Sequence, residues 1–329
     1  MKQYLELLRE VMDQGDWKRP ARPGMPYTRE LFCKTVSIDC SDGTIPLLTT
    51  KRVSFKNILT ELLWFLKGDT NIKYLVDNGC KIWNDDAYRY YKELGGVLDK
   101  EQWLSRLGQD IDELEFIDRA SFDGVYNMSR YGDCGMLYGV NWRNFNHNGF
   151  DQVLSVIKEL RHNPSSRYHI VTGWNPNQIC YKFIAALPAC HMLFQLNVRE
   201  NTYLDLMFLQ RSCDLFLGVP YNWASYGILL HILAALTGLE PGNLIWVGNS
   251  VHIYENQMEA VEEQLTRTPG VLPKLSIDMT RVNSLVEEED IPQLLDDLTH
   301  SDFSLIGYNP QGAIKAPLST GTVRNDKNQ

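Results

Sequence analysis

The chain has 329 residues, 44% hydrophobic and 22% charged, with a net charge of −9; that is an ordinary globular composition, in range for one large domain. An acidic chain grips a nucleic-acid backbone poorly, no apolar run approaches a membrane span, and Met1-Lys2-Gln3-Tyr4-Leu5-Glu6 lacks the apolar core of a signal peptide. Seven scattered cysteines without a CxxC pair argue for reduced thiols in a cytoplasm, and against a disulfide framework or a zinc ribbon.

Residues 1–16 read as an amphipathic helix, with Leu5, Leu7, Leu8 and Val11 at helical spacing. Three prolines mark 18–28 as a loop, whose arginines, Arg19, Arg22 and Arg29, could hold an anion or simply be solvated. A strand is expected over Phe32–Asp39, then a strong helix over 55–66. Glu61 lies inside that apolar helix. A lone carboxylate there reads first as solvent-facing; if buried, it must be partnered or protonated, and it becomes a candidate acid/base. Gly68-Asp69-Thr70-Asn71 caps the next helix. Residues 86–131 are charged and irregular, with helical fragments such as Lys100–Leu107, and read as an inserted subregion. A helix over 151–161 and a strand over Ile170–Trp174 follow. Strands at 191–198 and 203–209 have hairpin spacing. Ala224–Leu236 is apolar nearly all round, which marks a central buried helix. A short strand, Asn243–Val247, leads to His252-Ile253-Tyr254, and the end, 319–329, is polar. Helices and mostly antiparallel strands in mixed order make one α+β domain over 1–329.

Cys190 follows Pro188-Ala189 at the mouth of a strand, and Arg211 ends the next one. Taken alone, Cys190 reads first as a core cysteine. A neighbouring cation would let it become a thiolate. His191 alternates to the other face of the strand, so a Cys/His pair is weakly supported. Gly218 and Pro220 read as a turn, with Asn222 opening the buried helix.

Several motifs in order carry a resemblance: Thr49-Thr50-Lys51-Arg52, Glu61-Leu62-Leu63-Trp64-Phe65-Leu66, Ile82-Trp83, Tyr138-Gly139 with Trp142-Arg143, Pro188-Ala189-Cys190-His191, Gln210-Arg211-Ser212-Cys213-Asp214 with Gly218-Val219-Pro220-Tyr221-Asn222, His252-Ile253-Tyr254 and Lys315-Ala316-Pro317. From about Asp42 to Pro317, apart from the insertion, the chain resembles the folate-dependent thymidylate synthases. The resemblance implies a mixed sheet with a central helix, and a homodimer whose sheets pack back to back. It implies one-carbon transfer from 5,10-methylenetetrahydrofolate to C5 of dUMP, with no metal. Cys190 would add to C6. Arg211, Ser212, His252 and Tyr254 would hold phosphate and sugar, with Arg167 reaching the partner's phosphate. Asn222 would read the base, and Glu61 and Tyr138 would move protons. Trp83, Asp214, Gly218 and Lys51 would face the folate.

The chain departs from the family pattern in four places. Arg167-Tyr168 stands where two adjacent arginines are usual. The usual arginine-threonine-glycine loop is absent, with Arg22-Pro23-Gly24 nearby as a substitute. Asn249-Ser250-Val251-His252 replaces Gly-Asp-x-His. Eleven residues run past Leu318. Reductive methylation to dTMP is the first reading. Water in place of hydride would make the chain a hydroxymethylase of dUMP, or of CMP or dCMP, and an inactive nucleotide-binding homologue is the reading of another class. A host cytoplasm would apply if the chain is phage-encoded.

Overall fold

The structure, a computed structural model, describes residues 1–21, 24–111, 128–176 and 185–319. Helix α1 (Lys2–Gln14) buries Tyr4, Leu5, Leu7, Leu8 and Val11 on one side. The expected loop over 18–28 is partly sheet. Strand β1 (Asp16–Lys18) pairs with the start of β2 (Thr28–Asp39), so β2 begins at Thr28, before its apolar pattern does. Helix α2 (Phe55–Leu66) starts at Ser54, whose hydroxyl accepts the Asn57 N–H at 3.2 Å. Asn71 then opens α3 (Lys73–Asp77), its Oδ1 accepting from the Lys73 N–H at 2.9 Å.

The stretch read as irregular opens with α4 (Asn84–Glu93), which was not expected, and α5 (Lys100–Ser105), which falls on the helical fragment expected at Lys100–Leu107. Their exposed sides carry the charges that hid the pattern. Their inner sides join Tyr88, Tyr91, Trp103 and Tyr131 into one cluster of rings. Residues 112–127 of this stretch lie outside the described residues. Helices α6 (Tyr138–Arg143) and α7 (Gln152–His162) complete the layer beside the sheet.

The sheet adds β3 (Ile170–Thr172), β4 (His191–Arg199), β5 (Tyr203–Asp214) and β6 (Glu240–Tyr254), in the order β1-β2-β6-β5-β4-β3. All neighbours are antiparallel except β5 and β6. A parallel pair needs a long crossover, and α8 (Gly218–Thr237) supplies it. Strand β6 far outruns the short strand expected at Asn243–Val247. It is paired on both sides, so the polar run Gly248-Asn249-Ser250 keeps its place in the sheet despite breaking the apolar alternation.

Helix α8 likewise starts at Gly218, not at Ala224. Gly218 and Pro220 do not form a separate turn; they lie in the first helical turn. The N–H groups there have no intrahelical partner, so proline is tolerated. The Asp214 carboxylate accepts the N–H groups of Phe216 and Leu217 just ahead of the helix. Gly238 ends it at φ 73°. The small elements α9 (Met258–Leu265), β7 (Lys274–Ile277), α10 (Ile291–Asp297) and β8 (Phe303–Ile306) close the chain, β7 and β8 pairing antiparallel.

The architecture is α+β, with a mixed, mostly antiparallel sheet and a central buried helix. Leu229, Leu230, Ile232 and Leu233 of α8 are wholly buried. Truncating Leu230→Ala should cost roughly 2–5 kcal/mol, because a close-packed site cannot collapse around the lost methyls. Urea unfolding of wild type and variant measures this, and a loss below about 1 kcal/mol would mean that α8 is not the core.

Candidate active site

Antiparallel pairing decides where the thiol sits. The turn between β4 and β5 places Glu200 and Asn201 at φ 57° and 51°, left-handed angles suited to a hairpin. The start of β4 therefore lies against the end of β5, and the Arg211 N–H donates to Cys190 O at 2.8 Å. The Arg211 side chain folds back over the same segment. Its Nε donates to Ala189 O at 2.8 Å, and Nη2 donates to Pro188 O at 2.9 Å while lying 3.9 Å from the Cys190 Sγ.

On the other side stands Tyr138. Its hydroxyl accepts the Cys190 N–H at 2.6 Å. Burial raises the Cys190 thiol above its ordinary value; Arg211 and then Tyr138 pull the other way. The expectation that Arg211 depresses the thiol pKa is thus met only in direction. Desolvation is the larger effect here, so the site as it stands holds a protonated thiol at neutral pH. Burial also pushes Tyr138 well above the usual phenol range, which keeps it a hydrogen-bond donor.

His191 points inward, as alternation requires. A bulge after it, between His191 and Leu193, lets the Met192 carbonyl accept from both Gly173 and Trp174 N–H. The His191 ring stacks on Tyr138 at 3.9 Å, and its Nδ1 lies 2.9 Å from the Tyr226 hydroxyl. Burial takes its pKa down to about 3, so the imidazole is neutral.

Glu61 is half-buried and faces a cleft instead of bulk solvent. Its Oε1 accepts the Trp83 indole N–H at 2.7 Å. The two line a cleft of about 250 Å³ with Ile82, Asp86, Leu187, Leu318 and Ser319. The C-terminal segment therefore reaches the cleft, and residues 320–329 lie outside the described residues. Burial raises the Glu61 pKa to about 7, and the Trp83 hydrogen bond opposes this only in part.

Asn222 sits on α8 with its amide fixed by a chain of hydrogen bonds. An indole N–H can only donate. Trp246 Nε1 donates to Gln210 Oε1 at 3.0 Å, so the Gln210 amide nitrogen must face Asn222, and it donates to Asn222 Oδ1 at 2.9 Å. Gly248 makes room for this, since a Cβ there would fall 2.1 Å from the Trp246 ring. Gln210, Trp246 and His191 were not singled out from the sequence as site residues. The run Gln210-Arg211-Ser212 carried the one available signal.

Parallel pairing of β5 with β6 sets Ser212 beside Ser250 and Asp214 beside His252. His252 is buried, with Nδ1 3.0 Å from Ser250 O, and its ring meets Tyr254 edge-on at 5.0 Å. Gly218 begins α8 next to Asp214 and Asn222. Lys51 is turned inward: its ammonium donates to Phe216 O and lies 3.4 Å over the Phe216 ring. Burial lowers its pKa to about 7. Arg167 is exposed at the head of edge strand β3, away from these residues in the sheet order. Arg22 lies outside the described residues. Among the described residues no group of His, Cys, Asp or Glu is arranged to hold a metal ion, and no helix is long and apolar enough to cross a membrane.

Fold and site together define an α+β protein with a cysteine seated between a guanidinium and a phenol, near a cleft that holds a raised carboxyl. Comparison with known proteins is specific. The family model described as Thymidylate synthase matches residues 2–320. The chain is 41% identical to a thymidylate synthase of Mycoplasma mobile, over 97% of this chain and all of that one. It is 38% identical to that of Listeria monocytogenes over 97% and 100% of the two chains, and 36% identical to that of Rhodopseudomonas palustris over 96% and 98%. The chain belongs to the thymidylate synthase family, and it is an enzyme of the methyltransferase type.

The raised Glu61 carboxyl has a measurable linkage. An unfolded glutamate releases its proton near 4.5, and the folded one near 7. The protonated form is favoured by folding, so its contribution is full below about 4.5 and falls as pH rises toward 7. Glu61→Gln should remove a stability loss of roughly 1–3 kcal/mol over that window. Urea unfolding below and above the window tests this, and wild type and variant curves with the same pH dependence would contradict a buried carboxyl.

Proposed function

We propose that the enzyme transfers a one-carbon unit from 5,10-methylenetetrahydrofolate to C5 of dUMP and reduces it to the methyl group of dTMP. The observation that carries this reading is the meeting of Cys190, Arg211 and Tyr138 from separate parts of the chain, with Tyr138 against the Trp83 wall of the Glu61 cleft and Asn222 held by Gln210, the neighbour of Arg211.

Cys190 supplies the nucleophile. Its thiol is protonated in the site as described, so ionisation must accompany attack on C6 of the uracil ring, with Arg211 and Tyr138 favouring the thiolate. Electron density then moves to C5, which becomes enolate-like and takes up the one-carbon unit. Asn222 presents both an acceptor lone pair and its amide N–H groups, the match for N3–H and O4 of uracil. Flipping that amide to suit cytosine would set its nitrogen against the Gln210 nitrogen. Glu61, poised near neutral pH, and Tyr138 move the protons at O4 and C5.

The folate is a co-substrate that carries the one-carbon unit and the hydride. The cleft suits a flat heteroaromatic ring: Ile82, Trp83, Leu187 and Leu318 are apolar, and Glu61 and Asp86 offer polar edges. Asp214 and Gly218 would complete that wall. Lys51 would serve the folate tail only after leaving its buried contact with Phe216. Ser212, His252 and Tyr254 would take phosphate and sugar, with Arg22 as a further phosphate ligand. A homodimer would bring Arg167 of one chain to the phosphate of the other, and the exposed Phe32 and Ile170 on the sheet, with Tyr168 just ahead of β3, are apolar surface that such a partner would cover.

Incubation with dUMP and methylenetetrahydrofolate, followed by the mass of the nucleotide, tests the reading. A methyl gain with dihydrofolate is expected. A hydroxymethyl gain with tetrahydrofolate retained would make the enzyme a hydroxymethylase, and no change with uracil or cytosine nucleotides would defeat both. Asn222→Asp should lower kcat/KM for dUMP by about 10²-fold or more, since a buried carboxylate cannot donate to O4.

A further inference from the structure

Three carbonyls of the segment leading to the thiol are held by arginine side chains. Arg211 holds Pro188 and Ala189, as described above. The third, Ala186 O, is held by Arg89 of α4, whose Nη2 donates to it at 2.8 Å. The same Nη2 donates to Asp86 Oδ1 at 3.0 Å, and Nη1 donates to Glu93 at 2.8 Å. Arg89 and Asp86 both have only 16% of their side-chain area exposed. Asp86 lines the cleft with Glu61 and Trp83. One guanidinium therefore joins the cleft wall to the segment that carries the nucleophile. The Ala186 N–H is held as well, donating to Cys134 O at 2.9 Å.

We propose that Arg89 is a positioning residue for Cys190: it fixes the thiol-bearing segment through Ala186 O, and Asp86 in the cleft wall aims it. This rests on the reading of Cys190 as the nucleophile. One Nη2 shared between a carboxylate and a carbonyl, with Nη1 held by Glu93, fixes the plane of the guanidinium as well as its distance, which a single lysine contact would not. The charged and titratable groups around the thiol are Arg211 and Cys213 on β5, Tyr138 on α6 and Asp86 on α4. Asp86 acts on Cys190 to raise its pKa, while Arg211 and Tyr138 act to lower it.

Alkylation by iodoacetamide tests the arrangement without nucleotide or folate. The full-length protein and its Arg89→Met, Arg89→Lys and Asp86→Asn variants are titrated across the thiol range, with modification at Cys190 read by peptide mass. Arg89→Met leaves Asp86 uncompensated and should move the midpoint up. Asp86→Asn keeps an oxygen for Arg89 but removes the charge, and it should move the midpoint down. Each shift should be about half a unit, the scale of one charge across a partly screened cleft. Arg89→Lys should hold the wild-type midpoint. In turnover, Arg89→Met should lower kcat by about tenfold with the nucleotide KM within about twofold, as misplacement without lost binding predicts.

Midpoints that do not move, or that move the same way in Arg89→Met and Asp86→Asn while both melting temperatures fall, would overturn the proposal and leave a structural ion pair. If Arg89→Met fails to fold, Arg89→Lys decides the matter: a lowered kcat with the nucleotide KM and the midpoint held supports positioning by the guanidinium, and wild-type kcat overturns it. Failure of the wild type to turn over dUMP would count against the proposed function, whereas the alkylation shifts bear on the Arg89–Asp86 pair beside Cys190 and need no turnover.

Discussion

The antiparallel contact between the mouth of β4 and the end of β5 carries this site. It seats Cys190 O on the Arg211 N–H and lets the Arg211 guanidinium fold over Pro188, Ala189 and the thiol. Everything else is placed by reference to it. The parallel pairing of β5 with β6 brings His252 alongside Asp214. The crossover that this parallel pairing demands is α8, and its first turns bring Asn222 within reach of Gln210. A sheet with only antiparallel neighbours would need no such helix at this point.

The electrostatics of the site follow from burial more than from charge. Burial raises Cys190, Glu61 and Tyr138 and lowers His191 and Lys51, and desolvation is the first cause for each. The result is a site in which the thiol, the phenol and the imidazole are neutral, the Glu61 carboxyl titrates near 7, and Arg211 is the cation beside the thiol. Such a site keeps its protons until a substrate brings charge of its own. Glu61, near 7, is the group best matched to give or take a proton under those conditions.

Much of this was legible in the sequence, and the exceptions have physical reasons. The apolar periodicity of α1, α2 and α7 marked them, and the all-round apolar run marked the middle of α8. The start of α8 was missed because Gly218 and Pro220 signal a turn when read locally, although a first helical turn accepts both. The length of β6 was missed because its polar run at Gly248-Asn249-Ser250 is stabilised by pairing on both sides, which is tertiary information. Glu61 illustrates the limit for side chains. Its place in an apolar helix left burial open, and only the approach of Trp83 from elsewhere in the chain settled it. The Trp246–Gln210–Asn222 chain was out of reach for the same reason, since its members come from three elements. Motif order identified the family; the geometry adds how the amide and the thiol are held.

The central claim is that Cys190 attacks the ring and thereby loosens the hydrogen at C5. The most direct measurement is the release of tritium from dUMP labelled at C5, in the presence of methylenetetrahydrofolate, by the wild type and by Cys190→Ser. Release by the wild type and none above background by the variant is the predicted result. Equal release from both proteins would contradict covalent catalysis by Cys190.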